Sequence, residues 1–521
     1  MRKTLLTFCG LLAASFGFTQ VVLDAHDKRD YYMNTITVEE LKEHLYYLAA
    51  DEFEGRETSK PGQKKAAAFL ESYYNQQGLI SGSLNGVQQQ SFPLRKRKLN
   101  STTVTLLNGK KFSADKDLFC IDAEGLEGKT TFSKIVFVGY GIDAGSTYND
   151  YANLDVKDAL VVVRDGEPLD KTGMRSLLSI NGDELTDWSY DPAMKMNVAQ
   201  THGAKAIAIV REDYKSFLPR IKFWLEGERM ELVEDDNQLQ ATGIPQLFIS
   251  RETADIWLEG MPKKKKRKNT KTINEGGYIE IEVTDEIVTS ENVLAFIEGS
   301  DEKLKNEIVI ISAHYDHIGI VNGEINNGAD DDGSGTVSAM EIGEAFIQAK
   351  KDGNGAKRSV LILHVSGEEK GLFGSDYYTR HPVYSLSNTV CDFNIDMIGR
   401  VDESHEKDSN YIYLIGSDRL SMDLHNLSEA VNKQTKNIKL DYTFNAEDDP
   451  NQFYYRSDHY NFAKNNIPVI FYFSGVHEDY HKPGDDAEKI LYGKMTNVAQ
   501  LIFSTAWEVA NSPQRVRLSV R

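Results

Sequence analysis

The sequence predicts an α/β protein: a mostly parallel, mixed sheet flanked by helices, interrupted by an inserted β-rich domain. Three observations predict it. From Ser290 onward, apolar runs at Ile308 to Ala313, Ser359 to Ser366, Thr389 to Ile398 and Ile467 to Phe473 alternate with helical segments such as Gly335 to Lys351. Runs that are apolar throughout mark strands buried on both faces, and helices between them mark parallel crossovers. Each run leads into a histidine or a carboxylate, and in open parallel sheets the site lies beyond the carboxyl ends of the strands. Between 133 and 257 a second set of strands and helices breaks the series.

Taken in order, Met1-Arg2-Lys3 and the apolar stretch Leu5 to Phe18 have the layout of a secretory signal peptide, assigned to residues 1–20. The stretch is too short to span a bilayer, so export to the periplasm or the cell exterior is expected, without stable membrane insertion. Residues 21–130 read as the first part of the catalytic domain. Thr37 to Ala50 carries leucines at 41, 45 and 48, with Thr37 and Glu40 forming a capping box; Gln63 to Gly78 carries a similar stripe. Short strands follow, such as Thr102 to Leu107 before the turn residues Asn108-Gly109.

Residues 131–285 read as the insertion with its linker. The phrases DALVVVRDG, GAKAIAIV and IPQLFIS resemble the protease-associated domain, a small β-rich module of secreted peptidases. The basic run Pro262 to Lys271 reads as a solvated loop. Residues 286–521 then form the catalytic domain, ending in a helix from Asp486 to Asn511.

Composition excludes several classes. With 521 residues there is ample chain for two domains, and a net charge of −20 argues against nucleic acid as a partner. Of three cysteines, only Cys120 and Cys391 survive signal removal, so no disulfide framework is implied, and Cys391 reads as an inert core residue. No G-x-S-x-G or H-E-x-x-H string occurs.

The residues at the strand ends suit a metal. His314 is followed by Asp316, whose carboxylate can accept the ring N–H that a metal leaves unused, so Asp316 reads as orienting His314. Asp330-Asp331-Asp332 would repel itself without a cation. Glu368-Glu369 offers one carboxylate for a metal and one for a proton. Asp396 and His481 close the later strands. His26, His44, His202, His364, His381, His405 and His425 show no nearby acidic partner set and read as surface or core residues.

The ordered strings AHYDHIG, NNGADDDGSGT, GEEKGLFGS, NIDMIGR, SDHYNF and DYHKPGDD resemble the M28 family of zinc peptidases over about 287 to 510, together with the helical opening SKPGQKKAAAFLESYYNQQGL. The resemblance implies a zinc aminopeptidase fold and two Zn2+ ions. It makes His314, Asp331 and Asp396 the ligands of one ion, with Asp331 bridging to a second completed by Glu369 and His481. It makes Glu368 the general base and acid, places Tyr480 where relatives donate to the oxyanion, and gives Asp458 and His459 outer or substrate-side positions. It also implies a cis peptide after the bridging aspartate, and peptides with a free N-terminus as substrates. Dipeptidase or carboxypeptidase specificity is the alternative within the fold; a non-catalytic binding or adhesion protein is the alternative of another class.

Overall fold

A computed structural model describes residues 25–114, 116–120, 126–179, 184–233, 243–262 and 270–519. The expected signal peptide and most of the basic run lie outside the described residues. The chain forms two compact units, Met1–Phe92 with Ser290–Arg521, and Pro93–Thr289.

In the first unit the sheet runs in the order Lys439–Asp441, Tyr411–Ile415, Val469–Phe473, Thr389–Ile395, Ile308–His314, Ser359–Val365 and then Val293–Ile297. The four strands from Val469–Phe473 to Ser359–Val365 pair parallel, and Tyr411–Ile415 and Val293–Ile297 flank them antiparallel. Every residue of Ile308–His314 is buried. Its side chains alternate between two cores: Val309, Ile311 and Ala313 enter one, Ile308 and Ile310 the other. That alternation explains why the run is apolar throughout, since both faces of the strand are covered.

Helices Val38–Leu48, Pro61–Gln76, Gly335–Lys351 and Tyr492–Asn511 supply the first core through Leu41, Leu45, Leu70, Phe346 and Phe503. Thr37 caps the first of these, its hydroxyl accepting from the Glu40 amide at 3.2 Å. The last helix begins at Tyr492 rather than Asp486, because Ala487–Lys489 forms a separate single turn. Thr389–Ile395 likewise ends before 398, where Met397 takes a φ of 56° and turns the chain out of the sheet.

The second unit holds a six-stranded sheet ordered Thr270–Ile273, Lys134–Val138, Ala159–Arg164, Ala206–Arg211, Gln246–Ser250 and Leu118–Cys120. Its four inner strands are parallel and its two edges antiparallel. Leu160 and Val162 face one core of this unit, Val161 and Val163 the other. This compact unit spans Pro93–Thr289, wider than the 131–285 expected for the insertion and its linker. Residues 94–97 pair with 229–232, and 103–105 pair with 111–113, so those strands complete this unit. Among the described residues no helix is long and apolar enough to cross a membrane.

Candidate active site

The carboxyl ends of the parallel strands bring His314, Asp331, Asp396, Glu369 and His481 together. His314 Nε2 lies 3.4 Å from Asp331 Oδ1 and 3.7 Å from Asp396 Oδ1. On the other side of the same carboxylate, His481 Nε2 lies 3.2 Å from Asp331 Oδ2 and 3.0 Å from Glu369 Oε2. Asp331 therefore presents one oxygen to each of two donor sets.

Backbone amides decide the register among the three aspartates. Asp330 Oδ1 accepts from the Gly399 amide at 2.6 Å, and Asp332 Oδ1 accepts from the Gly335 and Met397 amides at 2.9 and 3.0 Å. Asp485 in turn accepts from the Asp330 and Asp331 amides. Of the three, Asp331 turns its carboxylate to His314 and His481, whereas Asp330 Oδ2 faces His477 at 3.4 Å. The peptide bond from Asp331 to Asp332 is cis.

The orientation of His314 differs from expectation in one atom. Its Nδ1 is 3.1 Å from the carbonyl oxygen of Asp316 and 3.9 Å from the carboxylate, so the backbone, not the side chain, receives the ring N–H. The Asp316 carboxylate instead accepts from the Thr58 hydroxyl at 2.7 Å and the Glu368 amide at 3.3 Å. It thus steadies the segment that carries Glu368. On Asp396, Oδ2 accepts from Ser457 at 2.7 Å, and Ser457 accepts from Asn394 at 2.9 Å.

Beneath the loop sits Arg56, fully buried in a turn with a φ of 51°. Its guanidinium donates to the carbonyls of Leu48, Tyr315, Asn327 and Gly328 at 2.7 to 3.1 Å. Four acceptors on one planar fork tie the helical opening to both ends of the loop after His314.

Electrostatically the site calls for positive charge. Burial would raise Asp331, but His314, His317 and His481 hold it well below the usual carboxylate range. Glu369 is drawn down to about 2 against burial and the Asp331 charge, by His317 and His481. His481, penalised by burial, is nonetheless raised to about 10 by Asp331 and Glu369. Glu368 behaves oppositely: burial and the neighbouring Glu369, Asp396 and Asp458 push it well above its ordinary value, His314 opposing. Carboxylates that stay ionised beside imidazoles that seek a proton are a donor set that a divalent cation satisfies, and nitrogen and oxygen donors fit zinc-type ions.

A cavity opens on this cluster, lined by Asp331, Glu368, Asp396, Met397, Phe453, Arg456, Phe471, Phe473, Val476 and Tyr480. Tyr480 stacks on the His481 ring with centroids 3.9 Å apart. Asp458 is buried and accepts from Ser375, and His459 is buried with its ring stacked on Phe471. Neither lines the cavity.

Some partners escaped the sequence reading. His317 is buried with Nδ1 2.7 Å from Glu369 Oε1. Three histidines expected to lack acidic partners have them: His44 lies 3.3 Å from Glu341, His202 3.0 Å from Asp143, and His405 2.8 Å from Asp402. Glu341 and Asp143 come from distant chain. Asp402 was three residues from His405 and could have been read as its partner. Cys120 and Cys391 are both buried.

A cluster of imidazoles and carboxylates, buried except at His481, lies at the carboxyl ends of a covered parallel sheet and defines an α/β protein with a candidate metal site. Comparison with known proteins finds one family likeness: residues 292–506 match the model of peptidase family M28. A probable leucine aminopeptidase of Trichophyton verrucosum is 30% identical over 226 residues, 42% of this chain and 57% of that protein. A probable zinc metalloprotease of Pyrenophora teres f. teres is 36% identical over 115 residues, 22% of each. The chain thus spans little more than half the length of the first of these relatives. Among solved structures, the aminopeptidase from Aneurinibacillus sp. strain AM-1 shares the fold with a TM-score of 0.53 at 19% identity, covering 95% of this chain and 98% of that one.

Proposed function

We propose that the protein is an exported aminopeptidase that holds two zinc ions and removes N-terminal residues from peptides. The observation that carries this reading is the Asp331 carboxylate, whose Oδ1 faces His314 and whose Oδ2 faces His481. His314, Asp331 and Asp396 would hold one ion; Asp331, Glu369 and His481 would hold the other. Bound zinc supplies Lewis acidity toward a carbonyl and a nucleophile available at neutral pH.

The chain's own groups do the rest. Glu368 lines the cavity beside Asp331 and Asp396 and is the carboxylate whose proton affinity burial raises, which suits a group that takes a proton from the attacking water and returns it to the leaving amine. Tyr480 reaches the same cavity with a hydroxyl kept protonated by burial, available to donate to the oxygen on which charge develops. Met397, Phe453, Phe471, Phe473 and Val476 form an apolar wall suited to one side chain of a substrate. The unit Pro93–Thr289 we take as the protease-associated domain, on the three phrases that resemble it.

One observation favours the second reading. Arg456 lines the cavity and is a cation suited to a substrate carboxylate, as a dipeptidase or carboxypeptidase requires. Amino-acyl p-nitroanilides tested beside their N-acetyl forms and beside free dipeptides separate the readings. Cleavage confined to free-amine substrates, amidated or not at the far end, supports the aminopeptidase. Equal cleavage of blocked substrates rejects it, and cleavage confined to free dipeptides selects the alternative.

A further inference from the structure

The two donor sets proposed above are unequal, because a fourth group joins one of them. His317 is fully buried, and its Nδ1 lies 2.7 Å from Glu369 Oε1 and 3.8 Å from Asp331 Oδ2. Its ring centroid is 5.8 Å from that of His481, across the same two carboxylates. Despite the short approach, neither ring nitrogen of His317 nor Glu369 Oε1 makes a hydrogen bond among the described residues. Buried polar atoms are nearly always satisfied. Two such atoms facing each other without an aligned N–H are lone pairs converging on one point. A cation there satisfies both.

The ring is held in place from behind. A β-carbon on Gly328 would meet the ring Cγ and Cδ2 at 2.5 Å, so the bare backbone of Gly328 is what admits the ring. The His317 amide donates to the Arg56 carbonyl at 3.3 Å, fixing the backbone from the other side.

We propose that His317, through Nδ1, is a fourth protein donor to the position formed by Asp331, Glu369 and His481, and that this position is closed and retains a zinc-type divalent ion tightly. The position of His314, Asp331 and Asp396 keeps three protein donors and an open place for water or substrate. Four protein donors with no open place are the pattern of retained ions, three with an open place that of working ones. The inference rests on the two-ion reading above and assigns the ions different exchange behaviour.

The test uses the full-length chain loaded with Zn2+ or with Co2+ alone. Wild type dialysed against a chelator is expected to keep one equivalent of Zn2+, and His317→Asn and His317→Gln to keep none, with affinity at that position weakened about 100-fold or more. Proton NMR of the Co2+ form distinguishes a ligand from a mere neighbour. Three strongly shifted, solvent-exchangeable imidazole N–H signals are expected in wild type, from His314, His317 and His481, and two in either variant. Two signals in wild type overturn the proposal even if no variant folds, and so do variants that keep both the tight ion and an unchanged spectrum. A wild type that binds no metal at all overturns the two-ion reading itself, whereas two bound ions with only two shifted imidazoles overturn this inference alone.

Discussion

Asp331 Oδ2 and His481 Nε2 lie 3.2 Å apart, joining the segment that follows Ile308–His314 to the loop after Val469–Phe473. Because Oδ1 of the same carboxylate faces His314, Asp331 is where both halves of the site depend on one side chain. Asp331→Asn is expected to abolish binding of both ions, read by metal analysis after gel filtration, and to lower activity at least about 1,000-fold. Retention of two ions would refute the bridging role.

Ser457 donates to the Asp396 oxygen that does not face His314. Removing it leaves the ligand in place but free to turn. Ser457→Ala is expected to weaken metal binding about 10- to 100-fold by calorimetric titration, with thermal stability of the apo protein changed by only about 1 kcal/mol.

Arg56 satisfies four carbonyls from inside the protein. Arg56→Met keeps the bulk but leaves those acceptors without a donor. A loss of about 3 kcal/mol or more in urea unfolding is expected. Arg56→Lys should recover little, since an ammonium cannot reproduce the fork. An unchanged unfolding midpoint in either variant would count against the clamp.

His364, fully buried with Nε2 2.8 Å from the Tyr74 hydroxyl, is pushed down to about 3 by burial. Its folded value lies below its unfolded value near 6.5, so the unfolded chain takes up the proton first as pH falls. The stability it contributes is complete above about pH 6.5 and is lost as pH falls toward 3, amounting to about 3 kcal/mol at pH 4. The pair His364→Leu with Tyr74→Phe removes this term while leaving no hydroxyl unpaired. Its unfolding free energy should fall less steeply between pH 6.5 and 4 than that of wild type. Parallel curves would contradict the assignment.

The strands and the polar residues at their ends were legible because burial on both faces writes a continuous apolar run, and the first polar residues past it reach the candidate site. His314 and Asp396 were found that way. What was illegible came from contacts between distant segments. The roles of Asp330 and Asp332 are set by amides of Gly399 and Met397, which nothing adjacent announces. Arg56 sits in a turn whose positive φ belongs to no periodic pattern. His317 lies past the strand end, where side-chain direction is set by packing on Gly328 rather than by the pleat. Nor does anything adjacent announce that residues 94–97 pair with 229–232, far along the chain.

In the proposed reaction Glu368 moves the proton at a metal site assembled by its neighbours. The most direct measurement is single-turnover hydrolysis of a leucyl amide by zinc-loaded wild type and Glu368→Gln, with metal content determined on the same samples. Two ions in both proteins and a rate lowered about 1,000-fold or more in the variant are expected. Two bound ions with an undiminished rate would contradict this role for Glu368.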